Sequence, residues 1–327
     1  MKIKNKLLNA IILFLLIIPL NVFAYSSYII PGGETIGIEV NSKGVLVVGF
    51  YKVNNSYIGR SAGFEVGDRI IKLNNKEVNN IPSMIETINK TDNNTVEFTI
   101  LRGTSEKNIS LNLSEDSDGV LKTGLYVKDS INGIGTLTYI DPSTNIFGAL
   151  GHEIIEKSTA EKFEIKDGII FGANVVGIEK STNGNAGEKT ATYNKTEVFG
   201  KITGNEISGI FGKYTSNVEG KEKLEVAESK DVKTGEATIR TVIKDDKIEE
   251  FKINIIKLDD NSDTKNILFE VVDDRLLKEA GGIVQGMSGS PIIQNNKIIG
   301  AVTHVIVNDT TKGYGIFITT MLKEGEN

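Results

Sequence analysis

The run Gly286-Met287-Ser288-Gly289-Ser290-Pro291 carries the strongest chemical signal in the sequence. It lies between two apolar stretches, Ile283 to Gln285 and Pro291 to Ile293. A hydroxyl nucleophile needs an exposed Oγ beside backbone N–H groups that face the charge developing on an attacked carbonyl, and flanking glycines permit that backbone shape. At average residue frequencies a Gly-x-Ser-Gly-x-Pro string arises by chance in roughly half a percent of chains this long, so the signal is specific. The strand-to-helix elbow Gly-x-Ser-x-Gly does not fit, because Ser290 stands at its second glycine and a strand follows. Ser288 is therefore the candidate nucleophile, Gly286, Met287 and Ser288 the candidate oxyanion-binding segment, and Ser290 the fallback nucleophile.

A serine of this kind needs a base, and the chain has only two histidines and no cysteine. Thiol catalysis, disulfides and thiolate metal sites are thereby excluded. His152 sits in Phe147-Gly148-Ala149-Leu150-Gly151-His152-Glu153, where small neighbours leave an imidazole approachable. His304 alternates with valines in Gly300-Ala301-Val302-Thr303-His304-Val305 and reads as a packed strand residue. His152 is the expected base. The run His152-Glu153-Ile154-Ile155-Glu156 lacks the second histidine of a zinc-protease helix, so no metal is expected. An orienting carboxylate is open among Asp273, Asp274 and Asp141; capping of a short helix over Asp273 to Ala280 explains the first two equally well.

These residues must be positioned by strands. The chain has 327 residues, room for two ordinary domains, and a net charge of −6 without basic clusters, which argues against nucleic-acid binding. Lys2, Lys4 and Lys6, an apolar stretch from Leu7 to Leu20 and Val22-Phe23-Ala24 read as an export signal or signal anchor over residues 1–24. A linker is expected at 25–32. Residues 33–115 read as strands, a Gly67-Asp68 turn, an Asn74-Asn75 hairpin and a short helix near Pro82-Ser83 with Met84, Ile85 and Ile88 on one face. They resemble a PDZ domain, which binds extended peptides by strand addition and takes a terminal carboxylate in a backbone loop, here at Ile36, Gly37 and Ile38. An acidic cluster, Glu115 to Gly119, separates this unit from residues 119–327, where short strands between Gly, Asn and Asp turns predict an all-β barrel or sandwich. The charged segment from Ser216 to Gly235 reads as a solvated hairpin face.

Gly124 to Ser130, Gly133 to Thr138, Phe147 to Glu153 and Gly281 to Val305 closely resemble the stage IV sporulation protein B serine peptidases. The resemblance implies a mostly β chain, a PDZ domain followed by a chymotrypsin-like β-barrel peptidase, with no cofactor. It implies Ser288 as nucleophile, His152 as base and Asp273 as the acidic member. It further implies export to the forespore–mother cell intermembrane space, self-cleavage, and cleavage of a membrane-bound regulator of an intramembrane protease that matures a sigma factor. The short stretch from Tyr25 to Gly32 leaves little room for self-cleavage sites. Two other classes compete: a non-catalytic PDZ adaptor on a peptidase-like scaffold, and a general envelope quality-control protease, against which the PDZ-first order argues.

Overall fold

The computed structural model describes residues 25–91 and 94–326. The expected export segment therefore lies outside the described residues, and among those described no helix is long and apolar enough to cross a membrane.

In chain order the fold begins with β1 (Tyr28–Pro31) and a long strand β2 (Thr35–Phe50), whose alternating residues bury Ile36, Ile38 and Val40. The PDZ region follows as α1 (Ile58–Ser61), β3 (Arg69–Leu73), α2 (Ile81–Asn89), β4 (Thr95–Arg102) and β5 (Ser105–Asn112). Asn74 and Asn75 both have positive φ, 47° and 62°, as the tight turn after β3 requires. The start of α2 is fixed by a capping box between Asn80 and Ser83 and by Pro82 in its first turn. Its i, i+4 pair Met84 and Ile88 enters a core with Val45, Phe64, Ile70 and Phe98, whereas Ile85 is exposed, contrary to expectation.

The next strand, β6 (Leu125–Ile140), pairs antiparallel with β2 over nearly its whole length, from Thr35↔Thr136 to Phe50↔Leu125, with an irregularity between Asn41 and Leu46. β7 (Ile146–Ala149), β8 (Ile165–Glu179), β9 (Glu188–Glu206) and β10 (Gly209–Tyr214) complete a barrel. Its closed ring runs β2-β6-β7-β10-β9-β8 and back to β2. Ile36, Leu137, Phe147, Ile170 and Ile202 fill it.

β11 (Leu224–Val226) leads to β12 (Gly235–Val242), β13 (Ile248–Leu258), β14 (Ile267–Val271), α3 (Asp274–Ala280), β15 (Pro291–Gln294), β16 (Lys297–Val305), β17 (Lys312–Phe317) and α4 (Ile318–Gly325). These strands close a second ring, β12-β13-β14-β17-β16-β15 and back to β12, around Phe251, Phe269, Ile292 and Val302. Closure leaves neither ring with a free edge. The segment 216–235 is no simple hairpin: it holds β11 and a 3-10 turn at Ser229–Asp231.

The expected linker is also structured. β1 pairs with β6 of the first barrel and with β11, which itself runs parallel to β16 of the second. Ile29 packs with Tyr139, Ile298 and Met321 where the barrels and α4 meet.

The expected PDZ carboxylate site is corrected by the same topology. Ile36, Gly37 and Ile38 pair with Gly172, Phe171 and Ile170 on one side and with Gly135, Ile134 and Gly133 on the other. A Cβ on Gly37 would lie 2.1 Å from the Phe171 ring. With both edges of the strand in ladders, this segment has no backbone groups left to receive a peptide.

Candidate active site

Ser288 lies in the turn between α3 and β15. The turn is closed by Ser290 N–H donating to the Met287 carbonyl (2.9 Å), and Gly286 and Gly289 both have φ +93°. Glycine is required at 289 for two reasons. The left-handed conformation disfavours a side chain, and a Cβ there would sit 2.1 Å from the Thr136 carbonyl oxygen and 2.5 Å from the Leu150 nitrogen. That close approach lets the first barrel grip the turn: Thr136 N–H donates to the Ser288 carbonyl (2.9 Å) and Thr136 Oγ1 to the Gly286 carbonyl (2.8 Å). Thr138 Oγ1 does the same for Gly289 (2.8 Å).

With its carbonyls so occupied, the turn keeps two donors. Among the described residues neither the Gly286 nor the Ser288 N–H has a partner, whereas Met287 N–H donates to the Val284 carbonyl (3.2 Å). Of the segment expected to bind an oxyanion, Gly286 and Ser288 thus remain available and Met287, fully buried, does not. Ser290 is also fully buried and its Oγ is unpartnered, which removes it as the fallback nucleophile; Ser288 is half-buried.

His152 follows β7. Leu150 and Gly151 adopt left-handed backbone in succession, each with φ 71°. Gly151 packs so closely on β16 that a Cβ would lie 2.9 Å from Thr303 Cγ2. This turn delivers the half-buried imidazole to the second barrel, where its ring stacks on His304 at 5.1 Å between centroids. His304 is exposed in the site rather than packed in the strand, so the sequence reading missed it. Its being one of two histidines was the available signal.

Nδ1 of His152 lies 2.8 Å from the Glu153 carbonyl oxygen. A carbonyl only accepts, so this bond places the proton on Nδ1 and leaves the Nε2 lone pair free to act as base. Burial pushes the His152 pKa below its usual value, against the opposing pull of the Glu153 carbonyl. Burial, with the neighbouring His152 and Lys265, lowers His304 to about 4. Both rings are neutral at neutral pH. Ser288 Oγ donates to the Thr303 carbonyl (2.9 Å), the residue before His304, and is thus not bonded to His152 in this arrangement.

The expected acidic members lie elsewhere. Asp273 caps α3 through the Arg275 N–H (3.0 Å), accepts from the Lys252 N–H (3.1 Å) and pairs with the Arg275 guanidinium (3.0 Å). It makes no bond to His152, whose Nδ1 is held by a backbone carbonyl instead; the orienting role expected of Asp273 is corrected to a structural one. Asp141, also buried, binds Ser26 and Ser143. Asp274 is the first residue of α3.

The Arg275 side chain holds the Asp273 pKa down to about 2. A carboxylate with a depressed folded pKa contributes stability that is fully present above its unfolded value, about 3.9, and lost as pH falls through about 2. Asp273→Asn is expected to destabilise the fold by about 1–3 kcal/mol through the cap and the ion pair, while the pH midpoint of the remaining activity stays where the wild type has it. Denaturant titration and a pH–rate profile check this; a displaced midpoint would return Asp273 to the base.

Two closed six-stranded antiparallel barrels, one bearing His152 and the other Ser288, form the chymotrypsin-like architecture. The SpoIVB peptidase S55 pattern matches residues 119–322, more than half of the chain. The chain belongs to the SpoIVB peptidase S55 family. The family's activity makes it a serine peptidase, and a PDZ domain pattern matches residues 35–113 ahead of the peptidase region. No curated protein matches the chain. Two solved structures of the Rv3671c protease from M. tuberculosis align with this S55 chain at 15% identity. The active form covers 58% of this chain and 71% of its own at a TM-score of 0.31. The inactive form covers 57% and 80% at 0.30. The barrel assignment rests on the strand pairings and not on these weak alignments.

Proposed function

We propose that this serine peptidase is an exported endopeptidase of sporulation signalling that cleaves itself and a membrane-bound regulator of an intramembrane protease, with Ser288 as nucleophile. The observation that carries the catalytic part is the turn at Ser288, with its accessible hydroxyl and two unpartnered N–H groups, held against the same Thr303-His304 stretch on which the neutral His152 imidazole packs. Family membership supports the signalling role, and the charged, apolar and small-residue pattern of residues 1–24 supports export.

In this reading Ser288 Oγ turns from the Thr303 carbonyl and attacks the scissile carbonyl carbon. Its proton passes to His152 Nε2 as the C–O bond forms, and the oxyanion accepts the Gly286 and Ser288 N–H groups. Collapse breaks the C–N bond, with His152 returning the proton to the leaving amine. Water, deprotonated by the same nitrogen, then attacks the acyl carbon; the C–Oγ bond breaks, His152 returns the proton to Ser288 Oγ and the carboxylic acid product leaves.

Self-cleavage is confined by β1. Ser26 bonds Asp141 through both its N–H and its hydroxyl (2.7 Å each), and Ile29 and Ile30 are buried. Burying two such side chains is worth about 3–6 kcal/mol, so cutting within β1 loosens the junction of the barrels. The stable mature N-terminus is therefore expected at or before Ser26. N-terminal sequencing of wild-type and Ser288→Ala protein after membrane expression tests this. A processed form present only in the wild type supports self-cleavage, and an identical N-terminus in both sinks it.

The donation from Ser288 to Thr303 is also what a non-catalytic PDZ adaptor on this scaffold would show. Phosphonate labelling, discussed below, separates the two.

A further inference from the structure

Lys189, at the start of β9, is 2% exposed. Its Nζ donates to Thr241 Oγ1 of the second barrel (3.0 Å) and lies 3.3 Å from Thr35 Oγ1 of the first. Both hydroxyls are themselves buried. Among the described residues no carboxylate pairs with it. The lysine backbone is tied to the same place, since Lys189 N–H donates to the Gln285 carbonyl (3.0 Å) and Gln285 N–H to the Gly187 carbonyl (2.7 Å). Its methylenes cover the bare Cα of Gly286: a Cβ there would meet Lys189 carbons at 3.1–3.3 Å.

A buried cation without a counter-ion is costly, and a methionine would fill the same slot without the charge. Such a group calls for a use of the charge itself. The nearest functional element is the Gly286 turn, where negative charge appears on the substrate oxygen during acylation. An ammonium that no carboxylate among the described residues pairs with keeps its charge unneutralised, and such a charge favours a nearby anion more strongly where the dielectric is low.

We propose that Lys189 is a positioning residue for the oxyanion-binding turn, its stem fixing the backbone at Gly286 and its ammonium, held between the two barrels, favouring the oxyanion. The proposal rests on the reading of Ser288 and the Gly286 turn given above. It makes the site's competence depend on the lysine's proton. Among the described residues Nζ has two hydrogen-bond partners, Thr35 from β2 and Thr241 from β12, with the Gly286 turn along the stem. No other titratable group perturbs it, and burial alone lowers the ammonium to about 7. The charged form therefore prevails below that pH and is lost above it, which gives the reaction an alkaline limb in addition to the acid limb of His152.

The test uses the full chain and a fluorophosphonate, whose reaction also builds negative charge in the oxyanion site. The rate of Ser288 labelling is measured from pH 5 to 9 for wild type, Lys189→Met, Lys189→Arg and Thr241→Val, with Ser288→Ala as control. The wild type should slow above a midpoint near about 7. Lys189→Met should label about 10- to 100-fold more slowly at pH 6.5 through the maximal rate rather than the affinity for the reagent, and should lose the alkaline limb. Lys189→Arg, which does not titrate in this range, should hold its rate to pH 9. Thr241→Val, which removes an acceptor from the ammonium, should move the midpoint down. Wild-type rates and profile in Lys189→Met overturn the proposal; if that variant does not fold, an unchanged alkaline midpoint in both of the others does so. Undiminished labelling of Ser288→Ala instead overturns the reading of the nucleophile, so the two failures are distinguishable.

Discussion

Ser288→Ala is expected to lower peptide hydrolysis by at least about a thousand-fold and to abolish labelling by a serine-directed phosphonate while leaving the fold intact. The chemical part follows from the turn: Ser290, the other hydroxyl there, is fully buried. The structural part follows from how little the Ser288 hydroxyl holds together. Its one bond is to the Thr303 carbonyl, worth about 0.5–1.5 kcal/mol net. Thermal denaturation should therefore find the variant within a few degrees of wild type, so that lost activity is not lost protein. In the wild type, activity should persist as pH falls to the ordinary imidazole value of 6.5 and decline only below it, because burial disfavours the imidazolium of His152 and protonation removes the Nε2 lone pair. His304, held down to about 4, brings no positive charge beside the base over that range. Labelling that survives in Ser288→Ala would sink the nucleophile assignment, and absence of labelling in the wild type would favour the adaptor.

Gly289→Ala is expected to cost more in stability than any change at Ser288. A φ of +93° already penalises an L side chain by about 1–2 kcal/mol, and here the new methyl would also occupy the contact between the turn and the first barrel. It would stand 2.1 Å from the Thr136 oxygen and 2.5 Å from the Leu150 nitrogen, both backbone atoms that cannot swing aside. Relief requires separating the turn from Thr136, whose amide and hydroxyl donate to Ser288 and Gly286. The expected loss exceeds about 3 kcal/mol in denaturant titration, with phosphonate labelling lost before the global transition. Gly286→Ala shares the positive φ but meets only the methylenes of Lys189, which can shift, and should lose less. Equal stability of Gly289→Ala and wild type would mean that the turn is not seated on the first barrel.

What could be seen in the sequence was local. The Asn74-Asn75 turn, the cap and stop of α3 at Asp273 and Gly281, and the Ser288 loop each depend on a few adjacent residues whose backbone preferences are specific. The all-β character came from strand length and turn chemistry in the same way. Pairing partners at large separation could not be read. Ile36 to Ile38 look like an open PDZ loop until β8, over a hundred residues later, covers their second edge. Asp273 looks like a triad member until Arg275 and Lys252 occupy its carboxylate. Lys189 stands in Gly187-Glu188-Lys189-Thr190, where nothing local marks it as buried, and the closing of the barrels encloses it.

The two long strands β2 and β6 bear on where this protein can be divided. The family pattern begins at residue 119, yet the ring of the first barrel needs Thr35 to Asn41 between β8 and β6. The PDZ region is spliced into the peptidase between two staves of one cask, not strung ahead of it. A fragment starting at Gly119 would lack a stave and bare two unpaired edges, inviting aggregation. In this chain the span that defines the peptidase by sequence does not close its own first barrel, and the PDZ region cannot be removed by a single cut without taking that strand with it.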